Sequence, residues 1–213
     1  MFPVKVHPNA VTLIFGEGTH PWITPLIKFR SRSKYSHVAY VDPLSGLIIE
    51  AAGGIGVRVV THTEFITKYP KWHTATMFVP CAQYTRQFMV NQIGKPYDHP
   101  AVFGYLFAQN WDREDAWTCT EIIAAASGMH RRRTFARISP HDLFSITRPS
   151  QFKFNFYPET LVLTKEDRLH SDPTKGNQTE INSVRLKLHL WAHEYGWRTN
   201  LKRPTLKPIE YPA

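Results

Sequence analysis

Short β-forming segments separated by turn signatures constrain the fold of this chain more than any other feature. The segment HVAYV (37–41) is rich in strand-forming residues and ends at DPLSG (42–46), a typical turn sequence. The glycines of AAGGIGV (51–57) allow a second sharp reversal. Strands are predicted at residues 11–15, 37–41, 47–51, 57–60 and 74–79. Such short strands, joined by tight turns, are typical of a small antiparallel sheet.

Helix signals lie between and after these strands. Thr118 and Ser139 are candidate N-caps, Pro140 suits a first helical position, and Gly94 and Gly128 suit helix ends. Helices are predicted at residues 22–29, 83–93 and 101–110, over AWTCTEIIAAASG (116–128) and SPHDLF (139–144), and from Thr61 or Thr63 to about residue 68. The fold class that we expect is therefore α+β. We expect the helix that starts after Thr118 to pack against the sheet.

The pattern changes after residue 150. Apolar residues alternate with polar ones in two places, at Phe152, Phe154 and Phe156 and again at Val184, Leu186, Leu188 and Leu190. This alternation predicts two paired strands, a C-terminal β-extension, with a polar, turn-rich segment between them. The last dozen residues contain three prolines and are predicted to form an extended arm. We expect one domain over residues 1–150 and a β-hairpin extension with its arm over 151–213.

Composition narrows the class of protein and its partners. The chain has 213 residues, 42% of them hydrophobic, which suits one globular domain with an appended element. Its net charge of +9 favours an anionic partner, such as nucleic acid, anionic lipid or the bacterial cell wall. The N-terminal segment MFPVKVHPNAVTLIF has neither the pattern of a signal peptide nor that of a membrane span. We therefore expect a protein that is cytoplasmic as made and has no transmembrane segment.

Two cysteines, Cys81 and Cys119, are too few for a disulfide framework. Cys119 is expected at the first helical position after Thr118, where unpaired N–H groups and the helix dipole favour a thiolate. An unperturbed thiol, with a pKa of about 8.5, is only a few per cent ionised at neutral pH, so a nucleophilic cysteine also needs an imidazolium partner. Spacing alone does not select one of the 11 histidines. The alternative for Cys119 is a small buried core residue. Cys81, at a strand end beside Pro80, is expected to have no helix start that would activate its thiol and is interpreted as structural.

Four motifs in a fixed order resemble a known family. They are YSHVAYVDPLSGLIIEAAGGIGV (35–57), IGKPYD (93–98), WTCTEIIAAA (117–126) and ISPHDL (138–143). The sequence resembles the permuted papain-like cysteine hydrolases, the YiiX-like members of the NlpC superfamily, which are relatives of the lecithin:retinol acyltransferase group. The resemblance covers roughly residues 11–147 and implies a permuted papain-like (NlpC-type) fold. The segment after residue 150 has no counterpart in it, and Thr120 replaces a serine that is common after the nucleophile.

The resemblance implies a role for each of three residues. His37 would be the base, Cys119 the nucleophile, and Glu50 the acid that orients the imidazole. A hairpin over residues 37–51 agrees with this, because antiparallel pairing brings the start of one strand close to the end of the next. The alternative is a core histidine and a solvated carboxylate at a strand end.

A substrate pocket is expected around the nucleophile. Tyr97 resembles the pocket tyrosine of the family and would line the site or donate to an oxyanion. The N–H of Cys119 is another candidate donor, and the neighbouring Trp117 and Thr118 are expected at the same pocket. Further aromatic residues could line an apolar cleft or belong to the core: Trp22, Phe103, Tyr105 and Phe107. The resemblance implies neither a metal nor another cofactor.

The activity expected is hydrolysis of amide bonds by a Cys-His-Glu triad, with cell-wall peptide as substrate in the manner of a murein endopeptidase or amidase. Peptidoglycan stems are anionic, which suits the positive charge of the chain. The alternative chemistry is lipid acyl or thioester hydrolysis or transfer, which uses the same triad and an apolar cleft.

Three other classes of function compete with this reading. A zinc site is disfavoured, because HTE (62–64) and PCAQYT (80–85) lack the second cysteine of a deaminase motif. Nucleic-acid binding is the second, through the basic segments KFRSRSK (28–34) and HRRRTFAR (130–137). Solvated loops are the favoured interpretation of these segments, and attraction to an anionic substrate surface fits them as well as nucleic acid does. The third is a non-catalytic assembly protein of a bacteriophage virion that docks a protein partner on its C-terminal arm. An intact triad favours an enzyme over this third class.

Overall fold

The computed structural model of the protein describes residues 8–18, 34–102, 111, 113–128, 138–149 and 163–195. Several sequence predictions fall outside these residues: the helix at 22–29, most of the aromatic helix at 101–110, the basic segment 130–137, the strand at 152–156 and the C-terminal arm.

The described residues form one antiparallel sheet. Its strands are β1 (Ala10–Glu17), β2 (His37–Val41), β3 (Ile48–Ala52), β4 (Gly56–Val60), β5 (Lys71–Phe78) and the short β6 (Arg148–Pro149). They are ordered β4-β3-β2-β1-β5-β6, and every recorded pairing is antiparallel. The five strands predicted from the sequence are therefore confirmed.

In addition to the helical residues 99–102, six helices surround this sheet in the described part of the chain. They are α1 (His62–Lys68), α2 (Ala82–Gln92), α3 (Cys119–Ser127), α4 (Pro140–Ser145), α5 (Lys165–His170) and α6 (Gln178–Tyr195). Thr61, Thr118 and Ser139 each form a capping box, in which the side chains of the cap and of the third helical residue satisfy each other's backbone N–H groups. Gly128 ends α3 in the left-handed conformation, with φ of 67°. The caps predicted for α3 and α4 are confirmed.

Helices cover both faces of the sheet. On one face, α3 packs against β2, β3 and α2, and its Ile122 and Ile123 share a core cluster with Val38, Tyr40 and Ile49. On the other face, Phe65 and Tyr69 from α1 and its C-cap pack against alternate residues of β1, β2 and β3. This arrangement confirms the α+β class and the packing of the sheet by α3. The permuted papain-like order of the elements stays a prediction.

The β-extension predicted at residues 184–190 is wrong, because this segment lies in α6. Asn177 caps the helix by accepting hydrogen bonds from the N–H groups of Thr179 and Glu180. Leu186 and Leu190 are more than half exposed, so only part of the apparent alternation faces the core. The buried face has helical spacing and consists of Ile181, Val184, Leu188 and Ala192.

Helix α6 is fastened to the main core by polar contacts as well. Arg86 of α2 forms a buried ion pair with Asp42 and also donates to the carbonyl of Leu188. The indole of Trp191 donates to the carbonyl of Leu44. No helix among the described residues is long and apolar enough to cross a membrane.

Candidate active site

The capping box of α3 determines where Cys119 lies. The N–H of Thr118 donates to the Glu121 carboxylate at 2.8 Å, and the N–H of Glu121 donates to the Thr118 hydroxyl at 3.3 Å. Cys119 is therefore the first residue of the helix, as predicted. Its side chain is 7% exposed and lines a surface cleft. A thiol in this position is in contact with solvent-accessible space while most of it is packed in the core.

The imidazole of His37 lies between Cys119 and Glu50. Its Nε2 is 2.7 Å from Oε2 of Glu50, and the Cys119 thiol is near enough to the ring to raise the pKa of the imidazole. Because Nε2 is engaged by the carboxylate, Nδ1 is the ring nitrogen left for the thiol. Burial lowers the pKa of His37, but the hydrogen bonds and negative charges of Cys119 and Glu50 raise it more, to about 9. The imidazolium is thus favoured at neutral pH.

Glu50 is the buried anion of this cluster, with 1% of its surface exposed. Burial by itself would raise the pKa of its carboxyl. The hydrogen bond and charge of His37 and the positive charges of Arg58 and Lys68 outweigh burial and lower the pKa to about 2. Arg58 donates from Nε at 3.0 Å and from Nη2 at 2.9 Å to Oε1. The two carboxylate oxygens are therefore divided between Arg58 and His37.

Two aromatic rings, those of Tyr69 and Phe65, pack against the His37 ring. Tyr69 lies nearly parallel to the imidazole, with centroids 4.7 Å apart and an interplanar angle of 13°, and Phe65 packs next to both. Gly16 is paired directly opposite His37 between β1 and β2. A Cβ atom at Gly16 would stand 2.7 Å from Cγ of Tyr69. The absence of a side chain at residue 16 therefore makes room for the ring that stacks on His37.

Replacement of Gly16 by alanine is expected to slow alkylation of Cys119 at pH 6 by about tenfold or more, since an added methyl displaces Tyr69 and with it the His37 ring. The rate with iodoacetamide, measured by peptide mass mapping, checks this. Gly53→Ala is the matched control, because a Cβ there meets Tyr97 at 3.8 Å, an ordinary contact. Equal rates in the two variants would show that the stack does not position His37.

The cleft at Cys119 contains two of the three predicted pocket residues. Tyr97 and Thr118 line it, and the space it encloses is about 430 Å³, including its open mouth. The remaining lining residues in the described chain are small, hydroxylic or apolar: Ser36, Ala101, Val102, Thr120, Ile138, Ser139 and Pro140. Burial, and secondarily the charge of Cys119, raises the pKa of Tyr97 well above its usual value, so the phenol is neutral and able to donate.

Trp117 does not line this cleft, in contrast to the prediction. Its indole donates to Oε1 of Gln92 at 3.0 Å and packs edge-on against Phe88 of α2. The backbone of Trp117 forms a parallel bridge with Tyr97. Trp117 therefore contacts Tyr97 through the backbone and does not line the cleft itself. The other aromatic residues proposed for the cleft lie outside the described residues.

Some backbone N–H groups at the start of α3 form the capping box, and others are free of it and lie next to Cys119. The capping box uses the N–H groups of Thr118 and Glu121, and the Thr118 hydroxyl acts as the cap. The N–H groups of Cys119 and Thr120 belong to the first turn, where no helical carbonyl is in reach. They are therefore the backbone donors nearest the sulfur.

Cys81 stands at a helix start as well, contrary to the sequence interpretation. It is the N-cap residue of α2, is partly exposed, and makes no capping hydrogen bond with its side chain. What separates Cys119 from Cys81 is thus the His37 contact rather than the helix start. Among the described residues, no group of three or more His, Cys, Asp or Glu side chains could hold a metal ion.

No family model and no curated protein matches this sequence. Among solved structures, the chain is similar to the metalloprotein YiiX from Escherichia coli O157:H7, with 18% sequence identity and a TM-score of 0.48. That match covers 70% of this chain and 100% of YiiX. The case for a function of this chain rests on its own side-chain contacts.

Proposed function

We propose that the protein is a cysteine hydrolase in which Cys119 is the nucleophile, His37 the general acid and base, and Glu50 the residue that orients His37. One observation carries the proposal: a single buried imidazole is hydrogen-bonded to the Glu50 carboxylate and lies near enough to the Cys119 thiol for that group to raise its pKa. This is the arrangement of nucleophile, base and orienting group that activates a thiol.

Acylation starts when the Cys119 sulfur attacks a carbonyl carbon and the carbonyl electron pair moves to oxygen. The tetrahedral intermediate then re-forms its C=O bond and breaks the bond to the leaving group, which takes a proton from His37. The products of this step are a thioester on Cys119, a neutral His37 and the free amine or alcohol. Because the pKa of His37 is about 9, the proton is present at neutral pH when the leaving group needs it.

Deacylation returns the enzyme to its starting state. His37 removes a proton from water as the water oxygen attacks the thioester carbon. Collapse of the second intermediate breaks the C–S bond and releases the acid, which leaves the thiolate and imidazolium in place. Donation to the oxyanion in both steps is assigned to the N–H of Cys119 and to the Tyr97 hydroxyl, two of the donors that border the cleft.

The substrate class that we propose is an amide bond in an anionic peptide, with the cell-wall peptide as the leading case. The net charge of +9 supports an anionic substrate. Among the described residues, Lys and Arg are nearly balanced by Asp and Glu, so the positive excess belongs to the sequence of the remaining segments. Docking of a protein partner or a virion on the C-terminal arm stays a proposal without support from the described residues.

A specific observation also favours the second chemistry, hydrolysis or transfer of a lipid acyl group or thioester. Ala101, Val102 and Ile138 line the cleft, and no charged side chain does so among the described residues. An apolar acyl chain fits such walls. The same triad would carry this reaction, with an alcohol or thiol as the leaving group.

Digestion of purified peptidoglycan, followed by mass spectrometry of the fragments, tests the leading proposal. We expect the wild-type protein to release peptides that the Cys119→Ala variant does not release. A parallel assay with an acyl thioester tests the second chemistry with the same control. Turnover of the thioester but not of peptidoglycan would rule out peptidoglycan as the substrate. Equal turnover by Cys119→Ala and the wild type would rule out Cys119 as the nucleophile.

A further inference from the structure

We propose that Arg58 is a positioning residue of this site, which holds the Glu50 carboxylate in the orientation and charge state that His37 requires. This inference rests on the proposed function and deepens it. Arg58 touches neither Cys119 nor His37 in any recorded contact, so its effect would pass through Glu50.

The strand register places Arg58 next to Glu50. β3 and β4 are antiparallel, and Glu50 is paired directly with Arg58. Val57 and Val59, on either side of Arg58, belong to the core cluster on the α3 face. Because side chains alternate along a strand, Arg58 lies on the opposite face, as Glu50 does relative to Ile49 and Ala51. A single charged residue in an otherwise apolar strand is thereby directed at the buried carboxylate.

The geometry of the contact favours positioning over simple charge neutralisation. Both Nε and Nη2 of Arg58 donate to the same oxygen, Oε1, and leave Oε2 to His37 at 2.7 Å. Two donors on one planar group restrict rotation of the carboxylate about its terminal bond. With Arg58 in place, Glu50 therefore presents one oxygen in one direction.

Opposite charges alternate from His37 to Arg58. Next to the Cys119 sulfur, the His37 imidazolium, the Glu50 carboxylate and the Arg58 guanidinium follow one another, so the buried Glu50 charge has an opposite neighbour on each side. The Arg58 side chain is 21% exposed, which makes it the solvent-facing end of this series. Its loss leaves Glu50 buried with one partner fewer, a situation that favours protonation of the carboxyl.

Other charged and titratable groups also face Glu50. Lys68, the last residue of α1, lowers the pKa of Glu50 through its charge, and Tyr69 stacks on His37 nearby. Lys68 is exposed and makes no recorded hydrogen bond to Glu50. Lys68 also lies over the Tyr69 ring, with Nζ 5.4 Å from the centroid. Lys68→Met removes the weaker of the two positive charges and this ring contact but no hydrogen-bond donor to Glu50, which makes it the control for Arg58→Met.

The experiment is the pH profile of Cys119 alkylation by iodoacetamide in the wild type, Arg58→Met, Arg58→Lys and Lys68→Met, followed by peptide mass mapping. Cys81 in the same samples gives the rate of a thiol outside the site. We expect Arg58→Met to move the acid limb of the Cys119 profile upward by about one pH unit, a tenfold loss of rate on that limb. Arg58→Lys, which keeps the charge but not the planar fork, should shift it less. Lys68→Met should shift it least.

A double-mutant cycle separates positioning from a general structural effect. If Arg58 acts through Glu50, Arg58→Met adds no further shift in a Glu50→Gln background. A wild-type profile in Arg58→Met, or a full additive shift in the double variant, would overturn the role of Arg58 while the triad stands. Slow alkylation of wild-type Cys119, equal to that of Cys81, would instead overturn the proposed function itself.

Discussion

At pH 6, iodoacetamide is expected to alkylate Cys119 about a hundredfold faster than Cys81. Alkylation requires the thiolate, and an ordinary thiol with a pKa near 8.5 is only about 0.3% ionised at that pH. Cys119 contacts an imidazole whose pKa is raised to about 9 and which is therefore protonated at pH 6. An imidazolium next to a sulfur favours the thiolate form, which is the reason for the faster reaction that we expect at Cys119.

The two cysteines make this comparison a sharp one. Both lie at helix starts, and Cys81 is the more exposed of the two. Exposure alone would make Cys81 react faster, and the helix start alone would make the two rates similar. His37→Ala should reduce the Cys119 rate at pH 6 to the ordinary range while leaving Cys81 unchanged. Faster labelling of Cys81 in the wild type would show that the thiolate–imidazolium pair does not form.

The three residues of the proposed triad could be selected as candidates because they stand out from local sequence patterns. His37 and Glu50 are polar residues in otherwise apolar strands, and the DPLSG turn requires the two strands to pair. Thr118 and Gly128 marked both ends of α3, which placed Cys119 in its first turn. The sequence itself did not show that His37 is the histidine that meets Cys119, and the family resemblance supplied that choice.

The supporting residues were harder to foresee, because their roles depend on contacts between strands and helices. Arg58 has a signal, since it is the one charged residue of GVRVV, but only the β3–β4 register pairs it with Glu50. Tyr69 follows α1, and its stack on His37 depends on the space above Gly16. No local pattern encodes such a close approach.

The error at α6 has a clear physical origin. Alternate apolar residues at 184–190 satisfy the two-residue period of a strand, but the same segment also belongs to a helical face with spacings of three and four residues. The longer helical face was decisive, because Val184 and Leu188 enter the core beside α2 and α3. Leu186 and Leu190 remain exposed, a common fate of single apolar residues on a surface helix.

The pH dependence of turnover should differ from that of alkylation above pH 9. The step reported by kcat/KM needs a proton on His37 for the leaving group, and the pKa of His37 in the free protein is raised to about 9. His37 is protonated below that pH and loses its proton above it, so kcat/KM should fall about tenfold for each further pH unit. Alkylation by iodoacetamide needs only the thiolate and should not fall in this range.

The measurement is kcat/KM and the alkylation rate from pH 7 to 11 on the same preparation, with whichever substrate the digestion assays identify. Cys119→Ser serves as the control, because it keeps the fold and the His37–Glu50 pair but removes the sulfur. We expect that variant to lose at least about a thousandfold in kcat/KM. Turnover that continues to rise through pH 10 in parallel with alkylation would mean that His37 does not protonate the leaving group. In that case the sulfur would act as a simple thiolate nucleophile, and the raised pKa of His37 would serve only to hold the ion pair together.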